Sequence, residues 1–228
     1  MVLATANVHK VNELTRVLQG RFARIQALTD LGLEAPEETG ATFVANARLK
    51  ALACARATGM PCLADDSGLE VAALDGRPGV GSARYAPDAD QRIDKLLAEL
   101  ASTRSSDRRA RFVSVVALAR GDAVQTFRGQ VSGVIVDERR GEGGFGYDPI
   151  FFIPRLKRTM AELAPDEKDA ISHRGRALRR LLSRTPLSSC SSISACSSCC
   201  SSLRGSSPPN SKRCSTPPRT ASSVSRRS

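Results

Sequence analysis

The stretch Pro61-Cys-Leu-Ala-Asp-Asp-Ser-Gly-Leu-Glu-Val-Ala72 carries the strongest signal for the fold. Its first part, Cys62 to Ala64, is small and apolar, as expected of the end of a buried strand. Two adjacent acids follow, and Gly68 then predicts a tight turn before a second strand at Leu69 to Ala73. Acids at the point where a strand leaves an α/β sheet indicate a ligand site, because ligands collect at such edges.

The two acids, Asp65 and Asp66, are expected to do different work. Adjacent strand residues point to opposite faces of a sheet, so one carboxylate would brace the turn while the other faces a cleft. The alternative is an Asx-type turn in which both acids are solvated, and this stretch alone leaves the two interpretations open.

The positive charge of the chain is unevenly distributed. The 228 residues, enough for one medium domain or two lobes around a cleft, carry a net charge of +11. From Leu187 onward there are no acids and six bases, which are Arg204, Lys212, Arg213, Arg219, Arg226 and Arg227. Residues 1–186 therefore carry +5, a modest excess that suits a phosphate-bearing ligand and does not by itself imply nucleic acid.

Cysteine usage favours a reducing compartment, and we expect a cytoplasmic protein. Five of the seven cysteines lie after Leu187, and the other two, Cys54 and Cys62, resemble small buried apolar residues. Met1 to Ala6 is too short an apolar run for a signal peptide, and no run approaches the ~18 residues of a membrane span.

The first elements predict a strand, a polar turn and a helix. Val2 to Ala4 is the strand, Thr5 or Asn7 can cap the helix, and Phe22 to Leu28 predicts a second strand. This geometry aims helix N-terminal amides at an anion, with Lys10 adding charge. The alternative is an ordinary capped turn.

Two acids, Glu37 and Glu38, precede a predicted helix at Thr42 to Thr58. They suit the dipole of that helix or, as a functional alternative, a hard cation such as Mg²⁺, which takes few protein ligands. The expected buried stripe of the helix consists of Val44, Ala47, Ala51 and Ala55.

The middle of the chain predicts a loop, a helix and an antiparallel meander. Leu74 to Ala86 is rich in glycine and basic residues and predicts the loop, and Ile93 to Leu100 predicts the helix. Three strands joined by short turns are expected at Arg111 to Ala119, Ala123 to Arg128 and Gln130 to Val136.

Two later stretches contain candidate base-binding groups. Phe145 and Tyr147 lie between glycines, where they suit stacking on a ring, although either could be buried. Ser172 is a candidate N-cap of the last helix, with His173 and Arg174 in its first turn. A histidine there is easily kept neutral and can contact a base edge; the alternative is solvated surface.

The segment from Leu187 to Ser228 is rich in serine and lacks periodicity, so we expect a disordered tail. Cys196 and Cys199 have the spacing of half a zinc site, but no second half is apparent.

Six short motifs together resemble the inosine triphosphate pyrophosphatase family, also called Ham1-like. They occur in family order and cover residues 1 to about 186. The motifs are Thr5-Ala-Asn-Val-His-Lys10, Glu37-Glu-Thr-Gly40 with Thr42-Phe43 and Asn46-Ala47, Ala64-Asp-Asp-Ser-Gly68, Ser82-Ala-Arg-Tyr85, Gly143-Gly-Phe-Gly-Tyr-Asp-Pro149 and Ser172-His-Arg-Gly175.

The resemblance implies an α/β fold with a mixed central sheet flanked by helices, and two lobes around a nucleotide cleft. It also implies a homodimer that hydrolyses ITP, dITP and XTP to monophosphate and pyrophosphate, cleansing the nucleotide pool. By position, Asp66 would be the proton acceptor and a Mg²⁺ ligand, with Glu37 as the second ligand. The implied substrate-binding residues are Thr5, Ala6, Asn7, Val8, His9, Lys10, Ser67 and Lys168 around the phosphates, and Phe145, Gly146, Tyr147, Asp148, His173 and Arg174 around the base.

This chain departs from the family pattern at a few places. Ala6 replaces a usual glycine and His9 a usual small residue, which could crowd the phosphates. The region after Tyr85 is shorter than usual, and the tail has no counterpart. The alternative function is a basic nucleic-acid-binding protein acting through that tail. Residues 1–186 lack a nucleic-acid motif, so nucleic acid is not expected as a partner. A membrane is not expected either, because no apolar run is long enough to span one.

Overall fold

A computed structural model describes residues 1–185, which form a seven-stranded mixed sheet with helices against it. This confirms the expected α/β fold. The strands are β1 (Val2–Leu3), β2 (Gln26–Ala27), β3 (Cys62–Val71), β4 (Arg109–Arg120), β5 (Ala123–Ile135), β6 (Phe151–Ile153) and β7 (Arg158–Thr159). The α-helices are α1 (Val8–Leu18), α2 (Phe43–Thr58), α3 (Ala89–Ser102), α4 (Pro165–Ile171) and α5 (His173–Arg184).

The sheet has the strand order β2-β1-β3-β4-β5-β6-β7. β1 pairs in parallel with β2 and β3, and every later pairing is antiparallel. β2 is shorter than the strand expected at Phe22 to Leu28. The predicted loop from Leu74 to Ala86 contains the 3-10 turn Gly79–Arg84.

The prediction of a turn at Gly68 is wrong, because β3 runs unbroken from Cys62 to Val71 and pairs with β4 along its whole length. The two acids therefore lie within a strand and not at its end. A Cβ atom at Gly68 would lie 2.3 Å from the carbonyl oxygen of Gly79 and 2.5 Å from Ser82 Oγ. The glycine is needed because the 3-10 turn approaches the strand closely.

The prediction of two strands separated at Gly129 is wrong for the same reason. β5 is continuous, and a Cβ atom at Gly129 would lie 2.0 Å from the carbonyl oxygen of His173 and 2.5 Å from the amide nitrogen of Ala177. The missing side chain lets the backbone of α5 lie directly on β5. The predicted meander is thus a single long hairpin of β4 and β5.

Local caps begin three helices where the sequence predicted. Asn7 Oδ1 accepts from the amide of Lys10 at 3.1 Å, Thr42 Oγ1 from that of Ala45 at 3.1 Å, and Ser172 Oγ from that of Gly175 at 3.1 Å. These bonds satisfy amides that the first turn of a helix leaves unpaired.

The predicted buried stripe of α2 is partly wrong. Val44 is 42% exposed, whereas Phe43 is 8% exposed and takes the buried position at the start of the helix. Ala47, Ala51 and Ala55 are buried as expected. Lys50 is also buried, at 4% exposure, so the stripe contains a charge.

Apolar side chains form three clusters around the sheet. One packs α2 against β3 and β4 and includes the two free cysteines, Cys54 and Cys62, both buried as expected. A second packs α1 and α5 through residues such as Leu14 and Leu178. The third joins α3 to β6, with Phe151 as its largest fully buried side chain.

None of the helices within residues 1–185 is long and apolar enough to cross a membrane. The predictions for the tail after Leu187, including the Cys196 and Cys199 spacing, concern residues outside the described range.

Candidate active site

The two acids of β3 point to opposite faces of the sheet, which confirms the prediction from strand alternation. Asp65 faces α1 and α5, where Lys10 Nζ lies 3.0 Å and Arg174 Nη2 3.1 Å from its Oδ2. Asp66 faces α2, where Lys50 Nζ lies 2.9 Å from its Oδ1. The solvated turn is therefore excluded for both acids, which are 0% and 4% exposed.

Asp65 holds a permanent negative charge. Burial alone would raise its pKa, but the charges of Arg174 and Lys10 and a hydrogen bond from Ser114 Oγ hold the pKa well below its usual range. That bond measures 2.5 Å to Oδ1, and Ser67 Oγ donates to Oδ2 at 2.9 Å. A carboxylate this fully engaged serves to position its neighbours.

Asp66 has a different environment. Its Oδ2 is buried and has no hydrogen-bond partner among the described residues. Burial raises its pKa to about 6, the positive charge of Lys50 opposes this, and the negative charge of Glu38 adds to it. A carboxylate with one free oxygen and a pKa near neutrality suits the role of general base.

Glu38 lies beside Asp66, and Lys50 joins the two carboxylates. Lys50 Nζ bridges the two acids at 2.5 Å from Glu38 Oε1 and 2.9 Å from Asp66 Oδ1. Burial would raise the pKa of Glu38, but hydrogen bonding to Lys50 and the charge of that lysine lower it to about 2. Glu37 is exposed, and its pairing with Asp66 as a metal ligand stays a prediction.

A second set of ion pairs joins α1, α4 and α5. Lys168 Nζ lies 2.7 Å from Glu13 Oε1 and 2.6 Å from Asp148 Oδ2, and Arg174 Nη1 bonds the other oxygen of Glu13. Burial would raise the pKa of Glu13, but the charges of Arg174 and Lys168 lower it to about 2. These fixed pairs hold Lys168 and Arg174 at the cleft.

The glycine-rich loop at 141–149 winds around Asp148, whose Oδ2 also accepts from the amide of Phe145 at 2.8 Å. Gly144 has a φ of +73°, and a Cβ atom there would lie 2.1 Å from Asp148 Oδ2. Tyr147 is 4% exposed and donates its hydroxyl to the Ser82 carbonyl at 3.1 Å. Phe145 is only half-buried, so it is the more accessible of the two aromatic rings.

His173 and Arg174 are 5% and 2% exposed, which excludes the solvated-surface alternative. The imidazole stacks on Phe112 with ring centroids 4.8 Å apart and an angle of 14° between planes. Burial, with the nearby charge of Arg174, lowers the pKa of His173 to about 3. The histidine is therefore neutral at physiological pH, as predicted.

A cavity of about 100 Å³ lies between the start of α1, β3, the glycine-rich loop and α5. The predicted site residues that line it are Asn7, Lys10, Ser67, Phe145, Gly146, Tyr147, Asp148, Lys168, His173 and Arg174. A larger hollow of about 790 Å³ lies elsewhere, beside Thr42, Glu70 and Arg111, and contains none of the predicted site residues.

Two of the other predicted residues, Asp66 and Glu37, do not line this cavity. The remaining predicted residues lie around the start of α1. Ala6, Val8 and His9 are exposed, and Val8 is 66% exposed. Thr5 is 7% exposed, and its Oγ1 accepts from the amide of Asn7 at 3.2 Å. Thr5 thus shapes the turn that presents the helix N-terminus.

Lys50 and Glu13 are parts of this site that sequence reasoning missed. Each is a charged residue at a buried position of a helix, at 4% and 7% exposure. Lys50 follows Ala47 by three residues and so shares the buried face of α2, a spacing that could have revealed it. Charges on buried helix faces are rare unless they are paired.

The residues present fit a hard cation. Asp66 offers a buried oxygen without a partner, and the carboxylate of Glu38 is its neighbour through Lys50. No group of three or more His, Cys, Asp or Glu side chains within residues 1–185 has metal-binding geometry. Two carboxylates suit an ion such as Mg²⁺, which retains several waters.

Fold and site together define an α/β protein with a cleft of paired acids and bases beside an accessible aromatic ring. Residues 1–184 match the model of the Ham1 family, and the chain belongs to that family. It is 50% identical over 185 residues to a dITP/XTP pyrophosphatase of Thermus thermophilus, covering 80% of this chain and 89% of that protein. A dITP/XTP pyrophosphatase of Gloeobacter violaceus is 51% identical over 185 residues, with 80% and 92% coverage.

Solved structures agree with this assignment. A HAM1 protein from Coxiella burnetii superposes with a TM-score of 0.73 at 46% identity, covering 79% of this chain and 94% of that one. The Staphylococcus aureus Ham1 protein gives a TM-score of 0.70 at 43% identity, with coverages of 79% and 94%.

Proposed function

We propose that this chain is a hydrolase that converts ITP, dITP and XTP to the nucleoside monophosphate and pyrophosphate, cleansing the nucleotide pool. The observation that carries the proposal is the unpartnered Oδ2 of Asp66, on a carboxylate whose pKa is raised to about 6. The next residue of β3, Ser67, lines the cleft together with the buried cations Lys168 and Arg174. Relatives about 50% identical over most of the chain are named dITP/XTP pyrophosphatases, which supports the same substrates here.

In the proposed mechanism Asp66 acts as general base. Lys50 occupies Oδ1, so Oδ2 remains to accept a proton from water. The water oxygen attacks the α-phosphorus. The bond from that phosphorus to the oxygen that bridges it to the β-phosphate breaks, and pyrophosphate departs. General base catalysis of this kind contributes about 10²- to 10⁴-fold in rate.

The charges of the site favour a bound cation. Lys10, Lys50, Lys168 and Arg174 are each paired with a carboxylate, so they bring little uncompensated positive charge to a triphosphate. We propose that Asp66 and Glu38 hold Mg²⁺, with the exposed Glu37 one residue away. An ion held by these two carboxylates would offset the charge of the phosphates and lower the pKa of water.

The base is proposed to lie against Phe145, near neutral His173 and Arg174. A site built to donate hydrogen bonds to a 6-keto purine leaves a donor unpaired against the 6-amino group of adenine. Such a mismatch discriminates strongly against adenine nucleotides in favour of 6-keto purines. Phosphates would lie toward the first turn of α1, where Asn7 and Lys10 line the cleft.

The test is a nucleotide panel on the purified full chain. We expect pyrophosphate release from ITP, dITP and XTP to far exceed release from ATP and GTP, and to stop with EDTA and return with Mg²⁺. Equal rates with ITP and ATP would refute the specificity. Undiminished activity in EDTA would refute the requirement for Mg²⁺.

We further propose a homodimer and a cytoplasmic location, from the family resemblance and the paucity of cysteine in residues 1–186. Sedimentation would test the first. The alternative of nucleic-acid binding rests on tail residues outside the described range, and nothing in the described residues favours it.

A further inference from the structure

We propose that His9 is a positioning residue for the base, because its imidazole supports the ring of Phe145 against which the purine stacks. This inference rests on the proposed function, since it assigns a role in nucleotide binding to a residue beside that cleft. It also gives a specific role to a side chain at a place where the family resemblance leads one to expect a small residue.

The contact itself is a ring stack. The centroids of His9 and Phe145 lie 5.1 Å apart with 13° between the ring planes. This is a favourable geometry for an aromatic pair. His9 is in the first turn of α1, and Phe145 is in the glycine-rich loop, so the stack connects two separate elements at the cleft.

Both backbones that carry the rings are anchored. α1 is capped by Asn7 and packs through Leu14 and Leu18, which are fully buried. The amide of Phe145 donates to Asp148 Oδ2 at 2.8 Å. The side chain of Phe145, in contrast, has a glycine at positive φ on each side, Gly144 at +73° and Gly146 at +65°. Because glycine has no side chain, neither flanking residue can pack against the ring, and contacts from other elements, such as the imidazole of His9, hold it in place.

The arrangement indicates support rather than direct contact with the ligand. Phe145 lines the cavity together with Lys168 and Arg174, whereas His9 does not line it. Lys168 Nζ lies 5.0 Å and Arg174 Cζ 5.6 Å from the centroid of the Phe145 ring. His9 is exposed to solvent. It thus packs on the Phe145 ring from outside the cavity, and the ring itself lines the cavity in which a base would lie.

The expected size of the effect follows from the strength of such stacks. A ring that is already ordered loses less side-chain freedom when a ligand binds. A stacked aromatic pair corresponds to about a two- to tenfold change in an equilibrium constant. Removing the imidazole should therefore weaken nucleotide binding within that range.

The test is isothermal titration calorimetry of the full chain with inosine 5′-monophosphate, which reports binding without turnover. We expect His9→Ala to raise Kd about two- to tenfold and to raise KM for ITP by a similar factor. His9→Phe should restore both, because a second ring can stack in the same place. The matched control is Asn12→Ala, at an exposed position of the same helix, which should leave Kd unchanged.

A second measurement tests whether His9 acts through Phe145. In a Phe145→Ala background, His9→Ala should cause no further change in Kd; additive losses would overturn the proposed route. Tighter binding by His9→Ala would mean that the imidazole competes with the base, and an unchanged Kd would mean that it does nothing. If ITP is still hydrolysed, either of these two outcomes overturns the role proposed for His9 and leaves the proposed function standing. A wild-type chain that neither binds inosine monophosphate nor hydrolyses ITP overturns the proposed function and this inference together.

Discussion

Lys50 Nζ lies 2.9 Å from Asp66 Oδ1, and the other oxygen of that carboxylate is buried without a partner among residues 1–185. One lysine on the buried face of α2 thus fixes the orientation of the acid on β3. It also donates to Glu38 Oε1 and to the carbonyl oxygen of Asp65, so a single ammonium group joins the carboxylates of Glu38 and Asp66.

The first prediction concerns the free oxygen of Asp66. Asp66→Asn should reduce kcat for ITP by about 10²- to 10⁴-fold, because the amide keeps the size of the side chain but cannot accept the proton. Pyrophosphate release measures the rate, and circular dichroism checks that the fold survives. The control is Asp75→Asn, the same change at an exposed residue outside the cavity, in a left-handed conformation that asparagine tolerates. Comparable activity in the two variants would exclude Asp66 as the base.

The second prediction concerns the stability provided by Lys50. Lys50→Met should lower the free energy of unfolding by about 3–5 kcal/mol, because it leaves two acids near each other without their shared cation. Urea denaturation measures the change. Arg56→Met provides the contrast: its pair with Asp122 has side chains 69% and 85% exposed, and exposed pairs contribute about 0–1 kcal/mol. Equal losses in both variants would contradict the assignment of a buried network.

Local signals were sufficient to predict where α1, α2 and α5 begin, whereas α3 begins at Ala89 and not at the predicted Ile93. Asn7 and Ser172 each cap a helix as expected, and Thr42 caps the helix that was predicted to begin at that residue. Such starts are predictable because a capping side chain bonds an amide only two or three residues away. The different roles of Asp65 and Asp66 were also predictable, because strand alternation is local.

The two glycine errors arose from long-range contacts. Gly68 and Gly129 resemble turn residues in sequence, yet each lies within a strand that another element approaches closely. Nothing within a few residues of either glycine identifies that partner, which comes from the 3-10 turn Gly79–Arg84 in one case and from α5 in the other.

The contact of Glu38 with Lys50 was unpredictable for a similar reason. The acidic segment has no regular structure, so periodicity cannot assign its side chains. Its position depends on α2, where Asn46 Oδ1 accepts from the amide of Gly40 at 2.7 Å and Lys50 bonds Glu38. A buried lysine in the apolar stripe was the available signal.

The third prediction follows from the close packing of α5 on β5. Gly129→Ala should lower the free energy of unfolding by about 1–3 kcal/mol, since the added methyl group meets backbone atoms that cannot rotate away. Because α5 carries His173 and Arg174, its displacement should also raise KM for ITP. Thermal denaturation should show a drop of roughly 2–10 °C. The control is Gly81→Ala, where a Cβ atom has nothing within 4 Å and φ is not positive. A stable, active Gly129→Ala protein would contradict the packing described here.

The fourth prediction is a pH dependence of stability that originates in His173. Its pKa is lowered from 6.5 to about 3, first by burial and then by the charge of Arg174. The unfolded chain therefore binds a proton that the folded chain rejects, and stability present above pH 6.5 is lost progressively as the pH falls toward 3. Asp65, Glu13 and Lys168 also act on this imidazole, so the wild-type curve contains several contributions.

His173→Gln isolates the contribution of the imidazole, because glutamine cannot take up the proton. Between about pH 6 and 5 the wild-type free energy of unfolding should fall more steeply than that of the variant, by about 1.4 kcal/mol per pH unit. Loss of the stack on Phe112 shifts the whole variant curve but does not alter its slope. Urea denaturation at several pH values measures both quantities. Parallel curves would contradict the prediction, because they would show that His173 has the same pKa in the folded and unfolded chains.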